Sequence, residues 1–354
     1  MEKTLLANRI DLHPQMEPDR FKRSFSIGML MTLAALSLSA PAQPSAQLAD
    51  ENLQAIQTIL ELPNSQIDLA KAKLTIDRMI DPEIDITKSL AQLDSMVNRM
   101  KSKLQGHTSS QAKLDALRAY LYQAGPWNAN KPFRYDLDDP FGQNVKSKLL
   151  PTYLATKKGN CVSMPLLFII LGQKLGIDVA ASTAPAHIFV KYRDELGNLY
   201  NLEATSGAGF ARDVWIQQQN PMTERAVASG TYMQPLTRKE TVAVMAGTIL
   251  EFYGQRGQEE ERITLASLLL KHYSKDVSAM LHAASAYYRL RQRHFVAQYP
   301  TPNDIPIERR PHFMELDQGM KFWRNKAEAL GWREPDQATE NDYIQRVKNA
   351  KSAQ

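Results

Sequence analysis

Cysteine is the scarcest residue in this chain of 354: Cys161 stands alone. A single thiol excludes an internal disulfide framework. The seven histidines, His13, His107, His187, His272, His282, His294 and His312, are too scattered to suggest a zinc site. No Gly-rich phosphate loop occurs, so neither a metal nor a cofactor is expected. Charge of one sign is not in large excess: 43 basic residues stand against 38 acidic ones, a net +5. Only Arg289-Leu290-Arg291-Gln292-Arg293-His294 concentrates it, which is too little for a nucleic-acid stripe, and no nucleic-acid partner is expected. Long apolar runs are also missing. Phe25 to Leu38 is the one sustained stretch, and it is short for a membrane span.

That stretch has a context of its own. Phe21-Lys22-Arg23-Ser24 precedes it, and Ala40-Pro41-Ala42 and Ser45-Ala46 offer small-residue cleavage points after it. Basic, apolar and small segments in that order are the layout of a secretory signal, with Met16 a candidate start. Residues 1–46 are therefore expected to be a signal peptide and leader. The protein is expected to be periplasmic or otherwise exported, with an uncleaved N-terminal membrane anchor as the alternative. In an oxidising compartment a free thiol is a liability unless it is buried or used.

The chain is organised around Gly159-Asn160-Cys161-Val162-Ser163-Met164-Pro165. Leu166, Leu167, Ile170, Leu171 and Leu175 recur at spacings of three and four, which predicts a helix over 162–175. Gly159 and Asn160 form the turn before it, and Cys161 falls in its first turn, where the helix field favours an anion. Ala186 to Arg193 and Leu199 to Ala204 predict an antiparallel hairpin about the turn Asp194-Glu195-Leu196-Gly197-Asn198. His187 lies early on one strand, and Asn201 and Glu203 share a face of the other, because the strand period is two. A thiol needs a base to take its proton, and the base needs an acid or amide to fix its ring. Cys161, His187 and either Glu203 or Asn201 supply those types in workable order.

Residues of about 56 to 215 resemble the bacterial transglutaminase-like core family, within the papain-like superfamily. The resemblance rests on Ile67-Asp68-Leu69-Ala70, Pro82-Glu83-Ile84-Asp85, Leu93-Asp94, Leu121-Tyr122 and Phe133-Arg134-Tyr135-Asp136. It continues through Leu149-Leu150-Pro151-Thr152-Tyr153-Leu154, Lys158-Gly159-Asn160-Cys161-Val162-Ser163, Ala184-Pro185-Ala186-His187-Ile188-Phe189-Val190 and Asn201-Leu202-Glu203-Ala204-Thr205. It implies an α+β fold: a nucleophile helix packed on a small antiparallel sheet, flanked by N- and C-terminal helices. It implies Cys161 as nucleophile and His187 as base. The family's usual aspartate, in an Asp-Pro-Thr-like motif, falls on Glu203 of Glu203-Ala204-Thr205, a departure that leaves Asn201 as the papain-like alternative. Relatives split amides, deamidate glutamine or move acyl groups to amines. The implied substrate is a peptide or protein carrying a carboxamide, with cell-wall peptide the nearest candidate for an exported protein.

The remaining chain divides into a transglutaminase-like region with a helical N-terminal part (51–235), a helical region (236–332) and a polar tail expected to fray (333–354). Asn64 or Ser65 is expected to cap a helix over 68–79. Pro126 to Pro151 reads as mostly loop and as one wall of a cleft, Leu150 to Leu154 as the start of a short helix, and Ser206 to Phe210 as a flexible turn. Residues 295–314 read as loop, and 262–273 with 276–290 as one helical pair. A competing expectation is a non-catalytic binding or assembly protein. Its partner would dock on the C-terminal helices through the alanine-rich Met280-Leu281-His282-Ala283-Ala284-Ser285-Ala286.

Overall fold

The computed structural model describes residues 46–104 and 106–352; the signal and leader expected at the N-terminus lie outside the described residues but for Ala46. Four helices open the described chain: α1 (Ala46–Glu61), α2 (Leu69–Ile80), α3 (Ile86–Leu104) and α4 (Ser110–Tyr122). Asp68 caps α2, accepting from Ala70 N at 2.8 Å and Lys71 N at 3.1 Å. The cap expected at Asn64 or Ser65 is thus displaced, because those residues are spent in a 3-10 turn, Asn64–Gln66, one step earlier. Ser109 caps α4.

The segment after α4 is not all loop. Its two-residue strand β1 (Arg134–Tyr135) is followed by α5 (Leu150–Thr156) and then β2 (Lys158–Gly159), which pairs with β1 in parallel. Next come α6 (Ser163–Lys174), β3 (Asp178–Ala184), β4 (His187–Arg193), β5 (Leu199–Glu203) and β6 (Gly209–Ala211). The last four form an antiparallel sheet in the order β3-β4-β5-β6. β6 replaces part of the turn expected at 206–210, since Phe210 pairs with Leu202 and Gly209 with Glu203. The architecture is α+β, with α6 packed on a small antiparallel sheet among flanking helices; Cys161, expected in the first turn of that helix, lies in the turn two residues before it.

Helix α6 is buried from Ser163 to Gly172, so it is apolar on every side and runs through the core. Gly172 is needed where it crosses the sheet: a Cβ there would lie 2.7 Å from Val179 Cγ2 of β3. One face of the sheet, through Val179, Ala181, Ile188, Val190, Tyr192 and Leu202, joins the main core. Ala184 and Phe189 join a smaller cluster with Ile216, Ala226, Tyr232 and Met233.

The chain continues as α7 (Asp213–Gln219), α8 (Glu224–Ala228), α9 (Arg238–Arg256), α10 (Glu259–His272), α11 (Val277–Arg291), α12 (Arg310–Ala329) and α13 (Gln337–Ser352). Thr237 and Glu240 close a capping box on α9, Glu240 N donating to Thr237 Oγ1 at 3.2 Å and Thr237 N to Glu240 Oε2 at 2.8 Å. Met280 to Ala286, offered above as an interface, is buried throughout. The small side chains let α11 pack closely against its neighbours, so this face is internal. Residues 295–314 contain the end of a π-helical turn (Gln292–Val296), two 3-10 turns and the start of α12, whose first turn takes Pro311. The tail expected to fray instead forms α13. Among the described residues no helix is long and apolar enough to cross a membrane.

Candidate active site

The turn before α6 is built on a glycine and an asparagine. A Cβ on Gly159 would meet Tyr153 Cε2 at 2.5 Å and Met164 Cγ at 2.8 Å, so only glycine fits between α5 and α6. Asn160 is 1% exposed. Its Oδ1 accepts from Val162 N and Ser163 N, both at 3.1 Å, and Asn160 N donates to Ser163 Oγ at 3.1 Å. These reciprocal bonds satisfy the donors that open a helix. Its Nδ2 donates to Ser147 Oγ at 3.1 Å, and Ser147 Oγ donates toward Asp139 Oδ2 at 3.1 Å. The Asn160 carboxamide therefore fixes the turn through its oxygen and one of its two N–H bonds.

Cys161, half-buried, is held by this turn at the start of the helix. Its Sγ lies 3.8 Å from the carbonyl oxygen of Ala186, the exposed residue before β4. Ala186 has a φ of 54°, a left-handed conformation that costs a non-glycine residue energy. It closes the tight β3–β4 turn that delivers His187.

His187 Nε2 lies 2.8 Å from Glu203 Oε2, and the ring also hydrogen-bonds the Cys161 side chain. With Nε2 directed at the carboxylate, Nδ1 is the nitrogen left for the sulfur. Glu203, 4% exposed, has its other oxygen occupied. Oε1 accepts from Thr205 N at 3.0 Å and from Thr205 Oγ1 at 2.6 Å. The extra methylene of glutamate is accommodated by this Thr205 brace.

Electrostatics follow from the contacts. Burial works against a charged His187 ring. The Glu203 charge, the hydrogen bonds from Cys161 and Glu203, and the nearby sulfur outweigh it, and its pKa is pushed up to about 10. Burial likewise works against the Glu203 carboxylate. The His187 charge and the bonds from His187 and Thr205 prevail and hold its pKa below the ordinary value.

Asn201 is not at the ring. Lys191 pairs with Asn201 and Val190 with Leu202, which leaves Glu203 further along β5 toward the His187 end of β4. Asn201 Nδ2 instead donates to Ala211 O at 3.1 Å and to Asp213 Oδ1 at 2.6 Å. The structure thus brings Cys161, His187 and Glu203 together and assigns Asn201 to the junction of β6 and α7.

Three contributors were not legible as such: Thr205, Ser147 and Tyr122. Thr205 sits two residues after the acid, where its signal was the threonine of the Asp-Pro-Thr-like motif. Tyr122 Oη is buried with no hydrogen-bond partner; burial first, and then the charge of Glu203, disfavours its ionisation. Among the described residues no group of three or more His, Cys, Asp or Glu side chains is placed to hold a metal ion.

Residues 87–246 match the family model described as transglutaminase-like superfamily. The segment from α3 into α9, which contains Cys161, His187 and Glu203, is therefore similar to that superfamily. No curated protein matches the chain, and no solved structure does.

Proposed function

We propose that the protein is a thiol-dependent amide hydrolase or acyltransferase working through Cys161, His187 and Glu203. The observation that carries this reading is the single imidazole bonded on one side to a buried carboxylate and on the other to the only thiol of the chain. The raised pKa of His187 favours a resting pair in which the ring holds the proton and the sulfur is a thiolate. The sulfur attacks a carboxamide carbon, and the carbonyl π pair moves to oxygen. The Cys161 N–H, at the positive end of α6, is the proposed donor to that oxygen. As the C–N bond breaks, His187 gives its proton to the departing amine and a thioester remains. Water, deprotonated by His187, releases an acid; an amine in its place gives transfer. Glu203 keeps the ring oriented and stabilises its charge at both steps. The N-terminal signal pattern supports an exported enzyme acting on envelope peptides or proteins.

Alkylation of Cys161 by iodoacetamide as a function of pH tests the site. The expected result is a fast rate persisting well below pH ~8.5, the ordinary thiol pKa, and lost in His187→Ala. A curve centred near that ordinary value in both proteins would overturn the reading. Mass measurement of a thioester adduct on Cys161 after exposure to envelope extract would then identify the acyl group.

A further inference from the structure

Helix α13 differs from the other α-helices. Among its described side chains none is buried; Tyr343, Ile344, Arg346 and Val347 are half-covered and form a shallow face. It is joined to the body by Arg333 to Asp336, after Trp332, which is buried, and Gly331, whose carbonyl accepts from Thr223 Oγ1 at 2.7 Å. The attachment therefore stops just before the helix.

Its two anchors hold separate segments, one connected to the turn that carries Cys161 and the other to the turn that carries His187. Tyr343 Oη donates to Pro140 O at 2.9 Å, lies 3.3 Å from Tyr135 Oη, and its ring meets Phe141 at 5.1 Å. That segment leads to the sulfur: Tyr135 pairs with Gly159, Asp136 N donates to Gly159 O at 2.7 Å, and Asp139 braces Ser147 and hence Asn160. Arg346 binds the side chain of Gln219 and, through Nη2, its carbonyl at 3.4 Å. That segment leads to the imidazole: Ile216 of the same short helix packs with Ala184 and Phe189, which flank the turn carrying His187.

We propose that α13 is a displaceable strap spanning the Cys161–His187 cleft, which must lift before a polypeptide can reach the sulfur. It rests on the reading of Cys161 as a working thiol, but it can be tested without turnover. A polar helix of 16 residues is marginal by itself in water, and one held by rim contacts alone belongs to the low-stability end of a fold. Small molecules need only the partial exposure Cys161 already has. A long chain needs both segments free.

The experiment compares two alkylating reagents on the full chain: iodoacetamide, and a maleimide carrying a long polyethylene glycol chain. The variants are Tyr343→Ala/Arg346→Ala and, on the segment that Tyr343 meets, Phe141→Ala. The bulky-to-small rate ratio is expected to rise about 10-fold in the double variant and to rise in Phe141→Ala also. A ratio that is unchanged or lower in both would overturn the strap. The ratio cancels the intrinsic reactivity of the sulfur, so its outcome is distinct from that of the pH curve. Arg346→Ala alone, a change on the half-exposed rim, serves if the double variant does not fold.

Discussion

Glu203 accepts on both of its oxygens, from Thr205 on one and from His187 on the other. Replacing it by glutamine keeps the size and removes the charge that the ring depends on. In Glu203→Gln the imidazole pKa should fall from about 10 toward its ordinary 6.5, read by NMR titration of the ring. Turnover should drop by roughly 10² to 10⁴, the usual range for loss of acid–base function. The same pair makes stability depend on pH in a defined window. His187 has a raised pKa, so its contribution is complete below 6.5 and is lost as pH rises through about 10. Glu203 has a depressed pKa, so its contribution is complete above 4.5 and is lost as pH falls through the lower folded value. The two describe one interaction and count once. The melting temperature of the native protein minus that of Glu203→Gln should therefore be flat between pH 4.5 and 6.5, shrink as pH rises from 6.5 through about 10, and shrink again as pH falls below 4.5. At this scale the order Cys, His, acid was legible because each sits in a recognisable local pattern. The choice between Asn201 and Glu203 was not. A period of two puts both on one face, and only the register of β5 against β4 separates them.

The turn–helix unit 159–174 depends on Asn160 more than on any apolar residue in it. Asn160→Ala removes a cap worth about 1 kcal/mol and also the link to Ser147. The protein should lose roughly 1–3 kcal/mol in urea unfolding, because Val162 N, Ser163 N and Ser147 Oγ sit in or beside the core without that partner. The rate of Cys161 alkylation should fall as the start of α6 loosens, while Ser163→Ala, which removes the hydroxyl's two bonds to Asn160 but keeps the backbone cap, should do less. Helices with a strong apolar period were readable at this scale, and so was the Thr237–Glu240 cap. Short strands were harder: β1, β2 and β6 hold two or three residues each and exist only through their partners. Helix α13 was missed because Tyr343, Ile344 and Val347 are too few to make a stripe, and its docking surface comes from residues 127 to 208 positions away.

Across the whole molecule, a second charged cluster lies away from the cleft. Arg262, 3% exposed, donates through Nε to His282 Nδ1 at 3.2 Å and through Nη1 to Glu259 Oε2 at 3.2 Å, and Arg289 also binds Glu259. Burial first, and then the charges of Arg262, Lys148 and Arg289, hold the His282 pKa well below 6.5. The folded protein keeps this ring neutral while the unfolded chain protonates it. Stability should therefore decline as pH falls below 6.5, opposite in direction to the His187 contribution over neutral and alkaline pH. In His282→Gln, which retains an acceptor and cannot titrate, melting temperature should decline less between about pH 6.5 and about pH 5.

The boundary of the family match invites a cut that the fold does not permit. Residue 246 falls in the middle of α9, and the turns beyond it carry Ile249, Leu250 and Tyr253 into the same apolar cluster as Leu74, Phe168 and Leu269. A fragment ending there would split a helix and bare the underside of the site. Any recombinant piece meant to retain the thiol's surroundings has to extend through Trp332, because the apolar cluster takes in Ala327 and Trp332 and so ends well beyond the matched segment.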